Sequence, residues 1–216
     1  FRKIRGFNVE GMSHGLLAEY FAFSDKNKAF EAKNKRNEGI VDNIDFEWSG
    51  ETVSSGRWKN EKSYYILNAY KYGASFSSAN KLFTVNYVPF KFAARFSGYM
   101  MLKGSDDPDM LSSYMFRLRG DDGIRLQMGL PSYENYIKSD WNNRGLSENE
   151  ATIDMSSVGY LNGTVLRLNI EYYNKSTGGD ANLIFEYSID KGNTWKTVPS
   201  SWFYADINAR TVSILD

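Results

Sequence analysis

From Tyr114 to Met128 the chain alternates on both sides of one polar tetrad, Gly120-Asp121-Asp122-Gly123, with Tyr114, Phe116 and Leu118 before it and Ile124, Leu126 and Met128 after it. A period of two is the signature of a half-buried strand. Asp-Gly is a strong turn pair because both residues tolerate positive φ. The stretch therefore predicts a β-hairpin with Asp121 and Asp122 at its tip. Neighbouring strand residues point to opposite faces, so two carboxylates converge on one ion only if the backbone departs from regular strand geometry, through a cis peptide or a bulge. The tetrad thus has two readings, a plain hairpin turn and a cation site. With no Cys and one His in the chain, the oxygen donors of a cation site point to calcium rather than zinc.

The same period recurs elsewhere. Leu16 to Phe21 and Ile44 to Trp48 read as strands, as does Phe90 to Phe96 with Phe90, Phe92, Ala94 and Phe96 on one face. Ala151 to Met155 follows, then Val165 to Tyr173 with Leu166, Leu168, Ile170 and Tyr172 inward against Arg167, Asn169 and Glu171 outward. Leu183 to Tyr187 reads as its antiparallel return. Short strands broken by Gly, Asn and Asp turns, with hardly any helical period, define an all-β class: an antiparallel two-sheet sandwich, or flattened barrel, with long loops. The Ser-, Gly- and Tyr-rich stretch from Glu51 to Leu82 fits either a strand or an aromatic loop.

The chain has 216 residues, 42% hydrophobic and 16% aromatic, which suits one large core rather than two domains. Residues 1–14 are mixed and basic without a period and read as leader or linker, 15–205 as the domain, and 206–216 as a C-terminal extension. The start at Phe1 rather than Met reads as a piece of a longer protein. Lys+Arg and Asp+Glu both number 26, so the electrostatic footprint of a nucleic-acid binder is missing. No apolar run approaches the roughly 20 residues of a membrane-spanning helix, and this predicts no membrane insertion by the chain.

Catalysis has few candidates. His14, the only histidine, falls in the leader, which leaves Ser-His and His-metal chemistry without a base. No acid pair is singled out for glycoside hydrolysis, and no phosphate-cradling Gly loop is present. Asp106, Asp107 and Asp109 read as a solvated charge run, with a second metal as the alternative. A longer polar loop, Tyr173 to Ala181, offers the amide oxygen of Asn174 and main-chain carbonyls, all hard ligands if it folds over the Asp pair. Tyr133, Tyr136 and Trp141 follow the tetrad; aromatic faces there can stack on sugar rings, although core packing is the commoner fate.

Seven ordered pieces together resemble one known family: Gly15-Leu-Leu-Ala-Glu-Tyr-Phe21, Ile44-Asp-Phe-Glu-Trp48, Phe96-Ser-Gly-Tyr99, Arg119-Gly-Asp-Asp-Gly-Ile-Arg-Leu126, Ser139-Asp-Trp141, Ile170-Glu-Tyr-Tyr173 and Val198-Pro-Ser-Ser-Trp-Phe-Tyr204. The resemblance is to the protective-antigen carbohydrate-binding domain, the "PA-fourteen" module, of bacterial surface or secreted type. It implies a β-sandwich and a cis-linked Asp121–Asp122 pair that holds calcium, which in turn ligates sugar hydroxyls. It further implies Asn174 as a side-chain ligand and the carbonyls of Ser176 and Gly178 as main-chain ligands. Lys175, Thr177 and Asp180, with Trp141 and Tyr136, are the implied carbohydrate contacts. The functional expectation is a non-enzymatic, calcium-dependent glycan or polysaccharide binder, a monomeric module of a larger extracellular or cell-surface protein used for adhesion or polysaccharide sensing. The competing expectations are a structural or protein-interaction sandwich without a sugar site, and an accessory domain of a glycosidase.

Overall fold

The structure, a computed structural model, describes residues 9, 11–22, 25–48, 75–76, 92–103, 113–130, 136–143, 145, 150–158, 160, 162–175 and 181–205. In chain order its strands are β1 (Ser13–His14), β2 (Leu16–Ala22), β3 (Lys35–Val41), β4 (Asp45–Trp48), β5 (Ser75–Phe76), β6 (Phe92–Met101) and β7 (Met115–Asp121). There follow β8 (Gly123–Gly129), β9 (Tyr136–Asp140), β10 (Glu150–Asp154), β11 (Val165–Asn174), β12 (Ala181–Ser188), β13 (Lys196–Thr197) and β14 (Phe203–Ala205). One sheet of nine strands runs β5-β3-β2-β6-β11-β8-β9, with β14 on β6 and β1 on β14; the other, of five, runs β10-β7-β12-β13 with β4 also on β12. These pairings are antiparallel, and the two ladders remain separate sheets rather than closing into a barrel.

The core lies between the sheets and is built by the alternation. On β7, Phe116 and Leu118 face in; on β8, Ile124, Leu126 and Met128; on β12, Leu183 and Phe185. Aromatic rings join the layers, Phe46 on Phe96 at 5.5 Å and Phe116 on Phe185 at 5.9 Å between centroids. Each such fully buried ring contributes on the order of 1.5–3 kcal/mol through burial.

The expected hairpin is not one. β7 pairs with β10 and β12 in the five-stranded sheet, whereas β8 pairs with β11 and β9 in the nine-stranded sheet. Asp122 is therefore a point where the chain crosses from one sheet to the other. Alternation specifies which residues face the core, and strands facing each other across it from opposite sheets satisfy that as well as a hairpin does. The same holds for Leu183 to Tyr187: β12 pairs with β7 and β4 rather than returning along β11.

Two further expectations change. Ser13 and His14 pair with Ala205 and Tyr204, and the His14 ring lies 4.8 Å from that of Tyr204, so the sheet already begins within the stretch read as leader. On β11, Arg167 is exposed as expected, but Asn169 and Glu171 are buried. The outer face of the nine-stranded sheet is covered there by Phe21, Ala29, Phe30, Ala93, Trp141 and Tyr173. The stretch from Glu51 to Leu82, apart from Ser75–Phe76, and the Asp106–Asp109 run lie outside the described residues.

Under that cover runs a row of charges in register across four strands: Glu19 opposite Arg95, Arg95 opposite Glu171, Glu171 opposite Arg125. Glu171, 0% exposed, accepts from Arg95 Nε at 3.2 Å and from Arg125 at 3.1 Å. Phe30 lies over the Arg95 guanidinium at 4.7 Å and Trp141 over that of Arg125 at 4.0 Å. At the row's outer end Lys35 donates to Glu19 at 2.7 Å and also bonds Glu38, which is half exposed.

Removing the central acid leaves the buried Arg95 and the partly buried Arg125 without it, so Glu171→Ala lowers stability by about 3–5 kcal/mol in urea unfolding. Glu38→Ala, at the exposed end, costs under about 1 kcal/mol. A separate turn makes a pH prediction: Asp190 accepts from Ser188 Oγ at 2.6 Å, from Thr194 N at 2.9 Å and from Thr194 Oγ1 at 2.6 Å. These bonds, that from Ser188 foremost, hold its carboxyl down to about 2. A depressed carboxyl stabilises the fold fully above its unfolded value near 4 and ceases to do so as pH falls through the folded one. Asp190→Asn is therefore less stable than the parent at neutral pH, and thermal melts show the gap closing between about pH 4 and pH 2.

Candidate functional site

Two of the crossings between the sheets fall on one rim. β7 passes to β8 at Asp122 and β11 passes to β12 after Asn174, and the ladders align them: Tyr173 is opposite Gly123, and Asn182 is opposite Asp121. The Asp121–Asp122 peptide bond is cis. Asp122 N donates to the Tyr173 carbonyl at 3.2 Å, and Lys175 N donates to Asp122 Oδ2 at 2.8 Å. Asn174 is thus bracketed by two bonds to a single residue. It is fully buried, and Asp122 is 8% exposed.

Two adjacent tyrosines reach this corner from opposite faces, as strand alternation requires. Tyr172 points into the main core, its ring 5.5 Å from Phe92, and its hydroxyl donates to the Asp121 carbonyl. Tyr173 lies on the outer face, where its ring occupies the place of the side chain that Gly123 lacks: a Cβ there would stand 2.1 Å from Tyr173 Cε1. Gly123 is absent from the positive-φ glycines, so close packing rather than a turn conformation demands it. The Tyr173 hydroxyl donates to Asn143 Oδ1 at 2.8 Å. Burial, then the carboxylates of Asp122 and Asp140, push that phenol up to about 12, with Arg125 opposing.

The donors fit calcium by type: adjacent carboxylates and a carboxamide are hard oxygen ligands, and main-chain carbonyls complete such sets. Among the described residues no group of three or more His, Cys, Asp or Glu side chains could hold a metal ion. A cation here depends on the Asp pair, the amide and backbone oxygens.

The other expected site residues divide. Lys175 adjoins the pair through its backbone bond to Asp122, with its side chain exposed. Ser176, Thr177, Gly178 and Asp180 lie outside the described residues. Trp141 comes to the corner but as a wedge: its ring meets that of Tyr173 edge-on at 4.6 Å, carries Arg125 on its face at 4.0 Å, and is 9% exposed. A ring so enclosed has little face to offer a sugar. Tyr136 is opposite Met128, at the far end of β8 from Gly123, and packs partly against the main core. It is not brought to the site. Asp140 and Asn143 carry no site signal of their own in the sequence; for Tyr172 and Tyr173 the signal is the tyrosine pair directly before Asn174.

No protein-family model matches the chain, and no curated protein matches it. Solved structures do. An anti-sigma factor domain-containing protein from Clostridium clariflavum superposes with a TM-score of 0.57 at 17% identity over 94% of this chain and 50% of that one. This chain therefore spans half of that protein's length. A PA14 sugar-binding domain from an RTX adhesin is similar at TM-score 0.51 and 21% identity over 89% and 99% of the two chains. The epithelial adhesin 6 A domain of Candida glabrata, solved with Galb1-3GlcNAc, gives 0.56 and 12% over 92% and 90%. At these identities the likeness establishes the fold alone: the chain folds as a β-sandwich of the kind seen in those PA14 and adhesin domains.

Gly123→Ala forces the Tyr173 ring from its slot. Equilibrium urea unfolding is expected to register about 1–3 kcal/mol of destabilisation, the usual cost of overpacking.

Proposed function

We propose that this chain is a calcium-dependent carbohydrate-binding module, displayed on a bacterial surface or secreted, that adheres to or senses glycans or polysaccharide. The observation that carries the reading is the Asp121–Asp122 crossing, whose Asp122 is bonded to the backbone on both sides of Asn174. The same fold in a PA14 sugar-binding domain of an adhesin and in an adhesin domain solved with Galb1-3GlcNAc supports the ligand class. Asp121, Asp122 and Asn174 would hold the ion, with carbonyls from Ser176 and Gly178, and bound calcium supplies coordination places that saccharide hydroxyls fill in exchange for water.

The chain's own residues do the positioning. Tyr172 holds the Asp121 carbonyl, while Tyr173 and Lys175 hold Asp122 through their backbones. Lys175, Thr177 and Asp180 are the proposed selectors of the sugar. Trp141 takes a supporting part, since Arg125 and Tyr173 occupy its ring. The module performs no bond-making step and works as a monomeric part of a longer protein. A shallow site with few contacts binds weakly after ordering costs, and repeated display supplies avidity.

The test is retention on a glycan array with calcium and again with chelator, for the parent and Asp122→Asn. Calcium-dependent retention and a calcium-raised melting temperature are expected in the parent and lost in the variant. Equal behaviour of the two proteins, or no effect of calcium on either, would favour a structural sandwich without a sugar site.

A further inference from the structure

Beside the Asp121–Asp122 crossing runs the segment Asp140–Asn143, the end of β9 and its exit. Asp140 is fixed by its pairing opposite Ile124. Trp141 is fixed several ways: Nε1 donates to the Lys26 carbonyl at 3.0 Å, its own carbonyl accepts from Lys26 Nζ at 3.3 Å, and its ring is held by Arg125 and Tyr173. With the backbone so anchored, the bond from the Tyr173 hydroxyl to Asn143 Oδ1 has a different consequence. It sets the orientation of one exposed side chain.

A carboxamide whose oxygen accepts from a fixed donor turns its two N–H donors the other way. Among the described residues no acceptor takes the Asn143 Nδ2 protons. Its neighbour differs, for Asn142 Nδ2 donates to Asp140 Oδ1 at 2.7 Å. The residue that orients Asn143 is also the one whose carbonyl accepts from Asp122 N and whose ring fills the slot at Gly123. The amide is therefore positioned from the same bracing point as the Asp pair.

We infer that Asn143 is a specificity-determining residue, its Nδ2 donating to an acceptor oxygen of a saccharide seated at the Asp pair; the inference rests on the carbohydrate reading above. The ligand class is a neutral saccharide that presents a hydroxyl or ring oxygen toward the β9 side of the rim. A neutral hydrogen bond at an exposed rim corresponds to between about two- and tenfold in affinity.

The experiment compares the parent with Asn143→Ala and Asn143→Asp. Calcium binding is measured by calorimetry without sugar, and saccharide binding on an array of hexose- and deoxyhexose-terminated glycans with calcium present. Asn143→Ala is expected to keep calcium affinity within about twofold while losing two- to tenfold on the best parent ligand and changing the ranking of the array. Asn143→Asp can still accept from Tyr173 but donates nothing, so it is expected to fall with the alanine variant. Unchanged saccharide affinity and ranking in both variants would overturn the assignment, as would joint loss of calcium and saccharide binding in Asn143→Ala, which marks a loop anchor. A parent that retains no glycan at all overturns the carbohydrate reading itself, and this inference with it.

Discussion

Asp122 is held from two directions by the end of β11 and the residue after it, through its amide to the Tyr173 carbonyl and through its carboxylate from Lys175 N. That pair of bonds ties the β7-to-β8 crossing to the β11-to-β12 crossing at one rim of the sandwich. The rest of the architecture is arranged around this tie. β7 and β12 lie side by side in one sheet, β8 and β11 side by side in the other, so four central strands turn the same corner together. Their inward residues fill the core between the sheets, while the polar groups of the corner stay at its edge.

The outer face of the larger sheet supports the corner from behind. Glu171 sits two positions before Tyr173 and Arg125 two after Gly123, and their ion pair lies under Trp141. Burying charge is costly unless the partners are close and well bonded. Here Glu171 is bonded to two arginines and roofed by aromatic rings. The Trp141 ring carries this arrangement over to Tyr173 and hence to the backbone that grips Asp122.

Much of this was readable from the residues, though not all of it. The alternation in Tyr114 to Met128 and Val165 to Tyr173 locates the strands and their inward sides, and the apolar run Leu183 to Tyr187 locates β12. Neither could say which sheet each strand joins, because facing the core is satisfied from either side; the hairpin at Asp121–Asp122 failed for that reason. From the sequence Asn169 and Glu171 face solvent, because local polarity cannot reveal a cover assembled from distant Ala29, Phe30 and Trp141. The Asp pair stood out by composition and by resemblance. Asn143 carries no local signal, and becomes visible only when Tyr173 is found to reach it.

The central claim is that the Asp121–Asp122 corner holds one calcium ion, and the most direct measurement uses the tyrosines and tryptophan packed around it. Metal-free protein is titrated with terbium, and emission is excited through the nearby aromatic side chains. The account predicts sensitised emission that saturates at one ion per chain, is displaced by calcium but not by magnesium at the same concentration, and disappears in Asp122→Asn. Emission that is absent, unsaturable, or unaffected by that substitution would contradict it.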